Sequence, residues 1–313
     1  MEGLGAVLLD PLFRVPFVTG LLLATVLPLV GTLLMLREEW LAALGFAHLA
    51  AASALLGLAG GVPAVVGATA GALLGGAAKT GLRARGNAAY GFMILIGWAA
   101  MLLVAANTPI GDALGHALVD GQLYFAGRVE LFAALVLAIL SAAGLPWLNG
   151  RLLRARFFPR FERANALPAW RWHLGMDLLA AAGMAVGTAT LGLMGAFALV
   201  FVPAWLAFRL APGWRWTLLI AAVIGTVAYL TAFLLALALD QPFGPVLVAT
   251  LLVLSALLTV LPRLPAGGRR APAPAGQALP GVAGEARRRL MPARPSPAGS
   301  RPPPGQSQRP RRG

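Results

Sequence analysis

Three histidines and eleven carboxylates are the whole stock of metal ligands and acid–base groups here, because the chain contains no cysteine. That absence removes thiolate metal sites, iron–sulfur clusters, disulfides and cysteine nucleophiles together. His48 stands in the middle of the apolar stretch LAALGFAHLAAASALLG. A neutral imidazole there either lines a passage and meets a metal in transit, or is a packing histidine whose polar atoms are satisfied locally. Asp112 and His116, in IGDALGHALVD, are four apart and share one face if the stretch is helical, with Asp120 a further turn along. One imidazole with one or two carboxylates is a weak ligand set for zinc or manganese, although D-x-x-x-H also recurs by chance. Asp177, in HLGMDLLAAAG, lies close to His173 and Arg171, and a salt bridge to Arg171 would tie down the segment end. Asp240 precedes a Pro and Gly turn in LALALDQPFGP, where a helix cap is the ordinary role for Asp.

Other chemistry is excluded by what is missing. There is no G-x-x-x-x-G-K-[ST] phosphate loop, and Lys79 is the single lysine. ATP hydrolysis therefore has no site on this chain. Neither H-E-x-x-H nor G-x-S-x-G occurs, which leaves no basis for zinc-dependent proteolysis or serine catalysis.

These few ionisable groups are set in a very apolar chain. Of 313 residues, 59% are hydrophobic and 12% charged, against roughly 25% charged in soluble domains. Nine apolar runs are expected as helices, at about 16–36, 41–59, 62–78, 89–106, 129–149, 173–193, 195–211, 216–239 and 244–261. Several fall short of the roughly 20 residues of an average spanning helix, so some are expected to be tilted, broken or partly inserted. The pair 41–59 and 62–78 reads either as two helices or as one unit disrupted at Gly60-Gly61-Val62-Pro63. The runs lack the alternation of a membrane strand. The fold class is all-α, a polytopic transmembrane bundle of about nine spans occupying 1–262. A disordered tail, 263–313, follows it, crowded with Pro, Gly, Ala and Arg.

Eleven of the 25 cations lie in that tail, without interleaved aromatic residues, so no nucleic-acid partner is expected. With nine spans and 150–172 inside, nearly all remaining cations fall on one side, leaving Arg14 and Arg128 on the other. The N-terminus is then outside and the C-terminus inside. The segment RLLRARFFPRFERANALPAWRW, 151–172, alternates cations with Phe, Leu and Trp around a Pro that interrupts a helix. It reads as a surface for a partner protein, or as a basic loop beside anionic lipid.

From about Val15 to Leu261 the chain resembles the membrane permease subunit of ABC importers for zinc, manganese or iron(II). GTLLMLREEWLAALGFAHLAAASALLG resembles the family's first span, basic turn and histidine-containing helix, with His48 at the histidine position. The family's Asp four residues earlier and Ser one residue earlier are replaced by Leu44 and Ala47. ERANALPAWRWHLGMDLLAAAGMAVGTATLGLMGAFALVFVPAWLAFRLA resembles the coupling segment, a carboxylate-led helix and a glycine-led helix ending in Pro-Ala. Asp177, Gly195 and Pro203 take the matching places, and Asp240 opens the last turn. The resemblance implies a homodimer in a prokaryotic plasma membrane, among membrane lipids. It also implies separate cytoplasmic ATP-binding subunits and a periplasmic or lipid-anchored metal-binding protein. The divalent metal would be transported substrate, with no tightly bound cofactor. It places His48, Asp112 and His116 along the path and Arg160, Glu162 and Arg163 against the ATPase. Two other classes remain, a gradient-driven secondary transporter and a membrane scaffold acting through its basic tail.

Overall fold

The computed structural model describes residues 11–82, 86–108, 121, 123–158 and 160–260. Nine long helices are present among them, one for each apolar run. They are α1 (Pro11–Leu36), α2 (Leu41–Ala59), α3 (Ala64–Gly81), α4 (Asn87–Asn107) and α5 (Arg128–Phe157). After a four-residue helix, α6 (Phe161–Ala164), come α7 (Trp170–Leu191), α8 (Leu193–Leu210), α9 (Trp214–Ala238) and α10 (Phe243–Val260). Seven of the nine are long and apolar enough to cross a membrane. The other two are α3, which carries Lys79 in its last turn, and α10. The described residues are helical, with no strand among them.

The helices differ in how deeply they are buried. In α1, α2 and α7, 67%, 61% and 72% of an 18-residue apolar window is buried, against 17% in α4 and 22% in α5. Of the inner three, α2 and α7 are rich in Ala and Gly, which let backbones approach closely where no hydrophobic effect drives helices together. The outer pair turns large side chains such as Phe92, Ile96, Phe132 and Ile139 outward. Around the inner helices, α2 packs along α3, α4 and α7, while α1 is embraced by α5, α8 and α9.

The 41–78 region is a helical hairpin, with α2 and α3 joined through Gly60–Pro63. A Cβ on Gly67 would stand 2.5 Å from the Ser53 carbonyl oxygen, so the two helices touch through backbone. In the same way a Cβ on Gly31 of α1 would run into the Val200 carbonyl of α8. Pro28 interrupts the hydrogen-bond ladder of α1, and the tight approach of Gly225 from α9 falls on that turn.

Among the boundaries that shift from the sequence expectation, α1 begins five residues earlier, at Pro11. Helix α5 continues eight residues beyond 149, to Phe157, because Pro146 leaves the helix unbroken and the chain stays helical until just before Pro159. Helices α7 and α8 are separated by the single residue Gly192, whose φ of 82° supplies the sharp turn. Gly195, three residues later, is instead a contact residue of α8, packed against Gly244 at the start of α10. Pro203 is buried inside α8.

Candidate functional site

A buried ion network joins one end of the bundle. It starts where α1 stops: Glu38 adopts φ 61°, and the Glu39 N–H reaches back to the Leu34 carbonyl. This left-handed close costs about 1–2 kcal/mol for a residue other than Gly. It sends Arg37 and Glu39 inward and leaves Glu38 outside, paired with Arg156 at 2.5 Å. Lys79 arrives from the last turn of α3, Tyr90 from the first turns of α4, and Asp177 from two turns into α7.

The network is closed and close to neutral. Asp177 accepts from Lys79 Nζ at Oδ2 and from Arg37 at Oδ1, both at 2.9 Å. Arg37 also holds Glu39 at 2.5 Å, and the Tyr90 hydroxyl donates to Glu39 at 3.0 Å. Lys79 donates to Tyr90 and lies 3.4 Å from Glu39. The Lys79 and Asp177 side chains are 5% and 3% exposed, so each depends on the other's charge. Two cations against two carboxylates let four charges sit in a site that would reject any one alone. The carboxylates are occupied by cations, and among the described residues no group of His, Asp and Glu is arranged to hold a metal.

Asp177 is therefore held by Arg37 and Lys79, and the expected bridge to Arg171 does not form; the Arg171 guanidinium instead lies over the Trp170 ring. The reason is direction, since Asp177 points into the bundle while Arg171 is exposed. Asp240 ends α9 through its backbone: with φ 51°, it lets the Gln241 N–H reach the Ala236 carbonyl, while the residue is exposed. His48 is 8% exposed at the crossing of α2 and α4, where Gly97 packs onto its backbone. Its Nδ1 bonds the Leu44 carbonyl at 2.8 Å, a local satisfaction that leaves Nε2 as the ring nitrogen available to a ligand. Asp112 and His116, with Asp120, lie outside the described residues.

The same end carries the aromatic and basic residues. Seven of the eight tryptophans gather there: Trp40, Trp147, Trp170, Trp172, Trp205, Trp214 and Trp216. Trp98, halfway along α4, is the exception. Between α5 and α7, the chain makes the α6 turn and closes it with Ala166 at φ 49°. Glu162 faces back into the bundle, accepting from Trp172 Nε1 at 2.8 Å and lying 3.9 Å from His173 Nε2. Arg160 is exposed, as are Phe161, Leu167 and Trp170. Glu162 thus braces the turn against α7, which carries Asp177, and the outer surface of the turn is left to Arg160 and the aromatic residues.

The bundle and its basic, tryptophan-rich end define a polytopic helical membrane protein whose buried charges at that end are paired. The chain belongs to the ABC 3 transport family, which matches residues 10–261, and is a membrane permease of that type. Its fold is similar to a chain of PsaBC from Streptococcus pneumoniae, solved in complex with Fab. That match has a TM-score of 0.71 and 16% identity, and covers 82% of this chain and 94% of that one. A metal-chelate type ABC transporter in an inward-facing conformation aligns with a TM-score of 0.62 and 16% identity, over 79% and 85% of the two chains. Among curated proteins none matches the chain.

Proposed function

We propose that this chain is the translocation subunit of an ATP-driven importer for a divalent metal ion, zinc or manganese. The observation that carries the reading is the family match over 10–261, laid on a nine-helix bundle. The chain has no phosphate loop, so hydrolysis falls to a separate cytoplasmic ATPase. A homodimer would enclose the path, and a periplasmic or lipid-anchored binding protein would deliver the ion. Such delivery moves tight binding off the permease, and a sparse set of path ligands, His48 with Asp112 and His116, is then enough.

The basic end is the cytoplasmic one, with the N-terminus outside, because Arg and Lys are retained inside. The turn around α6 receives the ATPase through Arg160, Arg163 and the exposed aromatic residues. Glu162 relays its displacement to α7 through Trp172, and Asp177 passes it to α1, α3 and α4. Lipid reconstitution of the chain with its ATPase and binding protein tests this. Zinc or manganese should stimulate hydrolysis and enter the vesicles; well-folded components that assemble yet respond to neither metal would overturn it.

A further inference from the structure

We infer that the cleft between α5, α7 and the α6 turn is a binding site for one anionic phospholipid. The cleft has a volume of about 340 Å³ and is lined by Arg151, Arg154, Arg171, Trp147 and Trp172. Depth is the first argument. Helix α5 is 30 residues long, about 45 Å, whereas the hydrocarbon core is about 30 Å thick. Starting from Arg128, Trp147 falls at the far edge of that core and Arg151 and Arg154 among the headgroups. Tryptophan followed by arginine is the pairing expected at that level.

Charge is the second argument. None of Arg151, Arg154 or Arg171 has a carboxylate partner among the described residues. Arg151 is braced by its own helix, donating to the Trp147 carbonyl at 2.9 Å with its guanidinium 4.1 Å from the Trp147 ring, and Arg154 bonds the Gly150 carbonyl at 3.2 Å. The carboxylate in the cleft, Glu162, is directed to Trp172 and His173. Three cations against one engaged anion leave a positive pocket that complements a phosphodiester.

The third argument is the wall beside it. Val136 and Leu140 of α5 are exposed on the helix face that carries Trp147 and Arg151, and offer a surface for acyl chains. A soluble anion would use the cleft alone; an anionic lipid uses the cleft and the helix. An acidic protein partner reaches the outer surface of the α6 turn, where Arg160 stands, whereas the cleft lies between that turn and the helix ends.

The test uses the full-length chain, exposed in detergent to equal amounts of dioleoylphosphatidylglycerol and dioleoylphosphatidylcholine, with retained lipid counted by native mass spectrometry. Phosphatidylglycerol should be retained preferentially. Each interfacial cation is worth roughly fivefold, so Arg154→Gln should lower the preference about fivefold, and the triple change with Arg151→Gln and Arg171→Gln should abolish it. Arg209→Gln with Arg215→Gln, at another turn of the same end, should leave it intact. Equal retention of the two lipids, an undiminished preference in Arg154→Gln, or an equal fall in the Arg209 and Arg215 control would each overturn the site. So would displacement of the lipid by glycerol phosphate, or loss of ATPase binding in Arg154→Gln with lipid preference unchanged. Arg154 is exposed, so its single variant decides the matter even if the triple variant does not fold.

Discussion

Asp177 accepts from two cations on two different helices, and the cost of losing it follows from what it would strand. Asp177→Asn leaves Lys79 buried beside a neutral amide, and breaking such a pair costs about 3–5 kcal/mol. The expected result is a clear fall in thermal stability of the detergent-solubilised protein, read by fluorescence-detected size exclusion. Replacing both partners, with Asp177→Leu and Lys79→Met, removes the desolvation cost as well and leaves Arg37 paired with Glu39. The double variant should regain most of the lost stability; a double variant no better than Asp177→Asn would refute the compensation. At His48 the expectation is functional. His48→Ala at normal expression should reduce metal uptake, and unchanged uptake would take the imidazole off the path as an essential group.

Helices here are matched by what their backbones allow. At Gly31 the Val200 carbonyl occupies the place of a side chain, so Gly31→Ala must push α1 from α8. Overpacking of this kind costs about 1–3 kcal/mol, measurable as an earlier melting transition, whereas Gly150→Ala, with open space around it, should change little. The α6 turn is the other element whose role is testable. Replacing Arg160 and Arg163 with Ala should weaken ATPase association and stimulated hydrolysis without lowering the melting temperature, since Arg160 is exposed and bonds no buried group. Glu162→Ala should instead loosen the turn, because it removes the acceptor for Trp172. Nine helices were legible as apolar runs because each carries its own hydropathy. The extension of α5 to Phe157 was not, because its last turns leave the apolar layer and keep their helix with Arg154 and Arg156 near the C-terminal end.

For the whole molecule, the ends of the helices carry opposite characters. Seven of the eight tryptophans and most cations of the described residues collect at one end, while Phe17, Tyr124, Tyr229, Phe233 and Phe243 pack together at the other, where Tyr229 also donates to the Phe17 carbonyl at 2.9 Å. A naturally cysteine-free chain makes the orientation directly measurable. Single cysteines at 156 and 300 should resist an impermeant thiol reagent in intact cells and react after permeabilisation, while one at 240 should react from outside. The reverse pattern would invert the topology.

Composition, hydropathy and the placement of Arg and Lys by themselves determined that this chain is a helical membrane protein, and its ordered motifs carried the likeness to a metal-importer permease, since those properties are local and additive along the chain. Which charges meet was decided only by tertiary structure. Lys79 reads as one more cation near an apolar run, and Asp177 as a neighbour of Arg171; nothing within a few residues of either names the other. They pair because α3 and α7 are packed along each other, and a buried charge takes the partner that the fold brings within reach, however far away it stands in sequence.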